Sequence, residues 1–289
     1  MKLAILTDTN SGISSQEAQE RGVFLLDMPL IIDDKVYYQG KNLTDSDFCQ
    51  ALEGDQCVTT CHPSLGNLVK SWEDLFKQGF DQVVYIPMSS ALSSSCSSAK
   101  LLAESYPGRV HVVDNHRISV TQKASVLKAL ALAHKNKTGQ EIKEDLEKEA
   151  LRATIYLSVN NLDYLKKGGR VTPAAAAIAS VLNIKPILTI QGEKIDSYGR
   201  VRGRIQRAQK KMLLAIQKDL KEKFSQESLD DLSLGLTGFG ISKDLEEAWL
   251  DLAREAFPQV RIHYDPLPAS IASHTGPGAF GIGLSLDSI

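Results

Sequence analysis

Seven serines fall within ten positions of the string PMSSALSSSCSSAK (87–100), directly after the apolar run QVVYIPM (82–88). Small hydroxyls at that density can cap a helix, seat an anion or supply a nucleophile. In an open parallel sheet, ligands sit beyond the carboxyl ends of the strands, where each loop enters the next helix. If 82–87 is such a strand, Ser93 and Ser94 stand near the start of the helix that follows. Hydroxyls and free amide N–H groups there favour a negative charge. Capping one helix needs one or two of the serines, so the surplus points to the polar head of a ligand. The nucleophile reading asks for G-x-S-x-G at a sharp strand-to-helix turn. The local string SALSSSCSS has no glycine; His274 is available as a base, but no acidic third member is evident. A serine-dependent esterase or acyl transferase is therefore the alternative to a binding site.

Three basic elements also draw notice. KKGGR places Arg170 after a Gly-Gly pair, GRVRGR places Arg200, Arg202 and Arg204 in a turn, and HTGPGAFGIG places His274 in a glycine-rich loop. A single surface arginine is ordinarily a solvated charge. Arginines flanked by glycine in two loops, with a histidine in a third, can converge on a phosphate. The chain has neither G-x-x-x-x-G-K-[ST] nor G-x-G-x-x-G after a strand, so it carries no nucleotide cradle of its own. CVTTCHPSLGN (57–67) reads as a turn before a helix, with Thr59 and Thr60 supplying hydroxyls. Cys57, Cys61 and His62 without a second ligand cluster make a weak zinc signal; a buried or half-buried thiol is the commoner fate. No metal, cofactor or catalytic residue is expected.

The elements that would position these residues follow from the apolar pattern. LAILTD (3–8) reads as a buried strand, VFLLDMPLII (23–32) as extended chain, and DDKVYY as a turn into another strand. SLGNLVKSWEDLFKQG (64–79) has helical spacing, with Ser64 as N-cap and Gly79 as stop. After the strand at 82–87 and the serines come a helix to about Tyr106 and a strand, RVHVVD (109–114). Strands alternating with helices argue for a mostly parallel sheet flanked by helices. KNKTGQEIKEDLEKEALRA (135–153) is a charged helix, with Thr138 and Glu141 spaced as a capping box, and marks a boundary. Beyond it lie the strand IYLSV (155–159), the alanine-rich stretch (173–182) and a hairpin around Gly192. A long helix (about 204–223) follows, then strand LSLGLTGF, helix SKDLEEAWLDLAREAF, strand VRIHYDPL and the closing SIASHTGPGAFGIGLSL. The reading is an α/β protein of two lobes, an N-terminal one over 1–152 and a C-terminal one over 153–289, with a ligand cleft between them.

Composition narrows the setting. With 289 residues, 43% hydrophobic and 24% charged, the chain is an ordinary globular protein with ample core material. A formal net charge of −2 gives no reason to expect nucleic acid or a membrane surface as partner. The longest apolar run, PAAAAIASVL (173–182), is about half of what a membrane span requires. Four cysteines (Cys49, Cys57, Cys61, Cys96) form no recognisable disulfide framework, and no signal-peptide pattern opens the chain. A cytoplasmic location is the expectation.

Taken in order, these strings resemble the DegV family of bacterial fatty-acid-binding proteins. LTDTNSGIS resembles the family's TDS start, and TCHPS (60–64) stands where the family tends to have T-S-Q-P-S. SSALSSSCSSA (89–99) stands for S-S-x-L-S-G-T-Y-x-S-A, and LDYLKKGGRV (162–171), LNIKPIL (182–188), RVRGR and HTGPGAFG (274–281) match closely. The resemblance implies a two-lobed α/β protein holding one long-chain fatty acid, of the palmitate kind, between its lobes. Some members are the lipid-presenting subunit of bacterial fatty-acid kinase, in which a separate subunit phosphorylates the carboxylate. By motif position, Thr60 and Ser93 inherit the carboxylate contacts, with Ser94 beside them. Arg170, Arg202 and His274 inherit positions tied to phosphoryl transfer or kinase engagement, and Arg204 is added on charge alone. KKGGR followed by the alanine-rich stretch reads as a moving cover. The chain also departs from the pattern: Ser94 replaces a glycine, Cys96 a tyrosine, His62 a glutamine, and Thr121 and Lys123 replace glycines of S-x-G-x-G. Bulk at 121 and 123 is expected to crowd the ligand region.

The chemistry is coherent on its own terms. Burying a sixteen-carbon chain at roughly 0.8 kcal/mol per methylene gives a gross gain on the order of 10 kcal/mol. The buried carboxylate then needs hydrogen-bond donors, which neutral hydroxyls can be.

Overall fold

A computed structural model describes residues 2–54, 56–177 and 184–286. The first half contributes β1 (Leu3–Asp8), α1 (Ser15–Arg21), β2 (Val23–Leu26), β3 (Leu30–Ile32), β4 (Lys35–Tyr37), α2 (Asp45–Glu53), β5 (Val58–Thr60) and α3 (Leu65–Lys77). It continues with β6 (Gln82–Ile86), α4 (Ser95–Ala103), β7 (Val110–Val112), α5 (Val120–His134) and α6 (Gly139–Lys148). The second half contributes β8 (Ala153–Ser158), α7 (Asp163–Gly168), α8 (Pro173–Ala176), β9 (Ile184–Ile190), β10 (Asp196–Arg202) and α9 (Ile205–Glu222). It closes with β11 (Leu232–Phe239), α10 (Lys243–Ala256), β12 (Arg261–Pro266), α11 (Ala269–Thr275) and β13 (Ala279–Leu286).

β1 and β6 are almost wholly apolar, as strands covered on both faces must be. They form the centre of a parallel sheet of order β2-β1-β6-β7. α3 and α4 cover one face through Leu68, Trp72, Leu75, Cys96 and Ala99. α1, α5 and α6 cover the other through Ala18, Val126, Ala129, Ile142 and Leu146. The expected caps are present: the Ser64 hydroxyl accepts the Asn67 N–H, and Thr138 with Glu141 forms the capping box.

The second sheet runs β10-β9-β8-β13-β11-β12, antiparallel except at β11–β12. Strand alternation divides its faces. Phe280, Ile282, Leu284 and Leu286 of β13 join Tyr156 and Ile187 under α9 and α10. The opposite face of β13 presents Ala279, Gly281, Gly283 and Ser285, so the sheet has large side chains on one side and almost none on the other. α5 lies against the bare side. A Cβ built on Gly235 would stand 2.4 Å from Val120 Cβ, and one on Gly283 would stand 2.8 Å from Thr121 Cγ2. α5 therefore packs against both sheets.

A small antiparallel sheet, β4-β3-β5, corrects the reading of 57–67 as only a turn: Val58–Thr60 is an edge strand. Leu30, Ile32, Phe48 and Leu52 of this region share an apolar cluster with Ala269 and Ala272 of α11, so the end of the chain packs on its beginning. Residues 178–182, half of the alanine-rich stretch, lie outside the described residues, and with them part of the expected cover. No described helix is long and apolar enough to cross a membrane.

The close approach at Gly235 gives a test. Gly235→Ala, which in a free strand would be neutral or stabilising, should instead destabilise the protein by about 2 kcal/mol, the usual cost of overpacking. The lowered urea midpoint would measure it; an unchanged midpoint would show that α5 does not seat on β11.

Candidate functional site

The loops at the carboxyl ends of β1, β2, β6 and β7 converge on the bare face of the second sheet and enclose a cavity of about 320 Å³. Asn10, Met28, Met88 and Ser119 come from those four loops, one from each, as the topology of an open parallel sheet requires. The apolar wall is Leu92, Ile118, Ile155, Leu157, Ile190 and Ile195, with Leu267 and Ala279. Phe280 and Gly281 also line it.

One end is polar. The Thr60 hydroxyl, at the end of β5, shares a 2.8 Å hydrogen bond with Nε2 of His274, in the last turn of α11. Gly276 and Gly278 follow His274 with φ of +73° and +75°, and a Cβ at either would collide with Tyr164 or Asn160. Glycine is thus required at both positions to turn α11 into β13 at this spot. Gly168 serves the same end: a Cβ there would stand 2.8 Å from His274 Nδ1. Gly169 ends α7 in the left-handed conformation and directs Arg170 inward. The Arg170 guanidinium donates to the carbonyl of Leu92 at 3.3 Å and to that of Gly168, tying the serine turn to the KKGG turn. The backbone of 170–172 is itself held on Ile195 of the hairpin.

The serine turn is an economy of local hydrogen bonds. Ser89 Oγ accepts the Ala91 N–H, and Ser93 Oγ accepts the Ser95 N–H while donating to Ser95 Oγ. Ser93 and Ser94 both line the cavity; Ser93 is half-buried, and Ser94 is exposed and makes no side-chain cap. Cys61 and His62 line the same end. Among the described residues no group of three or more His, Cys, Asp or Glu side chains is placed to hold a metal ion.

Thr60, Gly168, Arg170 and His274 also border a second, more polar cleft of about 660 Å³, lined further by Lys167 and Asn161. These four residues are a partition with the apolar cavity on one side and the polar cleft on the other. Arg202 and Arg204 line neither. Arg202 ends the edge strand β10, and Arg204 is the exposed N-cap of α9. The structure thus gathers Thr60, Ser93, Ser94, Arg170 and His274, and leaves Arg202 and Arg204 outside the gathering. His274 is paired with Thr60 rather than with a serine, so the serine–histidine pair of the esterase alternative is not assembled.

Thr121 and Lys123 do not crowd the cavity. Neither lines it. The Thr121 hydroxyl donates to the Ile118 carbonyl, and the Lys123 ammonium lies buried between Glu17 and Asp265, 2.7 Å from each. Residues that sequence reasoning passed over include Asn10, Thr237, Ser270 and Thr275, all cavity-lining. Asp8 is fully buried beneath them and accepts the N–H groups of Met88 and Asn10 and the Gln122 amide. Burial pushes its carboxyl up to about 6 against those hydrogen bonds.

Burial, reinforced by the Arg170 charge, holds the His274 imidazole down at about 4, from an ordinary 6.5. At neutral pH the partition therefore offers a neutral imidazole and hydroxyls beside one guanidinium, a donor set suited to a carboxylate. The linkage has a definite sign. The unfolded chain takes up this proton near pH 6.5 and the folded one only near pH 4. The stability tied to His274 is whole above pH 6.5, is lost as pH falls towards 4, and is flat below; the full loss is at most about 3 kcal/mol. His274→Gln should remove that part of the pH slope, measured by urea unfolding of the ligand-free protein between pH 7 and 4. Equal slopes in both proteins would overturn the assignment.

Comparison with known proteins gives a consistent pattern. Residues 2–287 match the family model described as "Uncharacterised protein, DegV family". A DegV domain-containing protein of Streptococcus pyogenes serotype M6 is 30% identical over 298 residues, 99% of each chain. Another, from Deinococcus radiodurans, is 28% identical over 285 residues, 98% of each. The structure of a DegV family protein from Thermus thermophilus, described by its fatty acid binding, aligns with a TM-score of 0.88 at 26% identity, covering 99% of this chain and 100% of that one. A fatty acid binding DegV family protein from Streptococcus agalactiae aligns with a TM-score of 0.84 at 26% identity over 98% of each chain.

Proposed function

The chain belongs to the DegV family, and from that premise we propose that it binds one long-chain fatty acid, its tail in the apolar cavity and its carboxylate at the partition, received by Thr60 and His274 with Ser93 beside them. The observation that carries this reading is the sharing of Thr60, Arg170 and His274 between an apolar cavity and a polar cleft. A ligand that is hydrocarbon at one end and anionic at the other is what two such neighbours select. The fatty-acid-binding relatives of the same fold support the choice of ligand class.

The arrangement has an energetic logic. Each buried methylene contributes about 0.8 kcal/mol, so the tail supplies affinity without fixing which end faces outward. Orientation comes from the head, where hydroxyls satisfy the carboxylate without locking it in an ion pair. The outward-facing carboxylate borders the polar cleft, where Lys167 and Arg170 would suit a more highly charged group. We take the protein to be a lipid-presenting, non-catalytic subunit that offers the carboxylate to a separate kinase for acyl-phosphate formation. In that scheme the exposed Arg202 and Arg204 serve the partner and do not touch the lipid. The cell interior is the setting this role requires.

Denaturing extraction of the purified protein, followed by mass spectrometry, should yield about one fatty acid per chain, and the stripped protein should rebind one on titration. Thr60→Ala with Ser93→Ala should weaken that binding by roughly tenfold or more, on the order of 1 kcal/mol per lost hydrogen bond, with the fold intact. No lipid and no titratable binding would end the reading; unchanged affinity in the double variant would move the head site elsewhere.

Arg202→Ala separates lipid from partner. It should leave fatty-acid affinity within about twofold while lowering the acyl phosphate formed when a fatty-acid kinase and ATP are added. A parallel loss of lipid affinity would place Arg202 on the ligand instead.

A further inference from the structure

The cavity wall is not uniformly apolar beyond the partition. Thr237 of β11 lines it, is 5% exposed, and its hydroxyl has no hydrogen-bond partner among the described residues. Asn10, 2% exposed, also lines it. Its carbonyl oxygen accepts the Ser270 hydroxyl at 2.6 Å, and its amide nitrogen lies 3.1 Å from the Met88 sulfur and also donates to the buried Asp8 carboxylate. Asn10 is thus held by its own partners, and Thr237 is the unpaired group. Ser119 and Val120, at the start of the fifteen-residue α5, lie on the same wall, with the Ser119 N–H donated to the Asn10 carbonyl at 3.0 Å.

These groups sit away from the carboxylate end. Thr237 pairs in register with Gly281, two residues into β13 from Ala279, which places it about 7 Å of strand inward from where the His274 loop joins the sheet. Gly281 has no side chain to cover it: the Thr237 methyl stands 3.5 Å from where a Cβ of Gly281 would be. The Thr237 oxygen is itself sealed in this rotamer, and a χ1 step to another staggered well is the movement that would bring it to the cavity. A buried hydroxyl left unpaired is unfavourable, and a plain hydrocarbon tail cannot pair it.

We propose that the preferred ligand is a fatty acid bearing a hydroxyl on its chain, received by Thr237. The inference rests on the fatty-acid reading above and names the substrate class of that same cavity. A chain hydroxyl both donates and accepts, so it pairs the Thr237 hydroxyl, whereas a saturated chain leaves it unpaired.

The test is competitive displacement of a fluorescent fatty acid from lipid-stripped protein by stearic acid and by a series of monohydroxystearic acids differing in hydroxyl position. At least one isomer should bind about fivefold or more tighter than stearic acid, the value of one net hydrogen bond. Thr237→Val, which keeps the shape and removes the hydroxyl, should bring that ratio to near one and tighten stearic acid itself; Thr237→Ser should restore the preference. If stearic acid equals or exceeds every isomer in the wild type, or if Thr237→Val keeps the preference, the inference is overturned while the fatty-acid reading stands. If no acyl chain displaces the probe, the fatty-acid reading itself fails and takes this inference with it.

Discussion

The hydrogen bond between Thr60 and His274 spans 214 positions of sequence, and the site depends on the geometry that allows it. A bond of that kind contributes about 1 kcal/mol net, far too little to hold two distant segments together. What brings them together is the apolar cluster in which α11 offers Ala269 and Ala272 to Leu30, Ile32 and Phe48. The small residues of α11 let it lie close to β3 and α2, and its last turn then delivers His274 to the end of β5. Packing fixes the geometry; the hydrogen bond reads it out. The same helix presents Ser270 and Ile271 to the cavity, so one seven-residue element sets both its polar end and part of the wall.

The cavity has an equally simple origin. β13 alternates Phe, Ile and Leu on the side of α9 and α10 with Ala and Gly on the other. Towards one end of the bare face, Gly235 and Gly283 admit Val120 of α5; towards the other, Gly281 has no such cover and the cavity begins. The space of about 320 Å³ is thus the consequence of small residues on one face of a single strand, where no side chain fills the gap between the sheets.

Much of this was legible in the sequence, and the parts that were not share a cause. The parallel strands, the α3 cap, the Thr138 capping box and the Gly192 hairpin each announce themselves within a dozen residues, because each is set by local pattern. The edge strand Val58–Thr60 was read as a turn because its partner, β3, is a distant segment and nothing local marks the pairing. α5 was passed over for another reason. Thr121, Gln122, Lys123, Ser125 and Lys128 are all buried on it, so it shows no amphipathic stripe. Its polar side chains find tertiary partners: the Gln122 amide nitrogen donates to Asp8 and Thr7, Lys123 pairs with Glu17 and Asp265, and Lys128 with Glu149. The same blindness made Lys123 look like bulk beside the ligand, when it is an ion-paired strut behind the cavity wall. Asn10 and Thr237 carried no signal at all, since a lone Asn or Thr in a strand or turn is unremarkable until the fold turns it inward.

The serine run illustrates how a sequence signal divides once geometry is known. Ser89 spends its oxygen on Ala91, and Ser93 exchanges hydrogen bonds with Ser95, so the run is first a device for turning a strand into a helix. That the turn is stitched by hydroxyls rather than by glycine matters for the site. Ser93 Oγ accepts the Ser95 N–H and donates its own proton to Ser95 Oγ, and in the proposed site that proton is the one a carboxylate would take in place of Ser95. Ser94, exposed and uncapped, has no such constraint. Position therefore selects one serine among seven: the hydroxyl that is held on one side and donates on the other. Arg170, anchored on Leu92 of the same turn, keeps that hydroxyl in register with Thr60 and His274, and the three loops act as a single polar end to an otherwise apolar chamber.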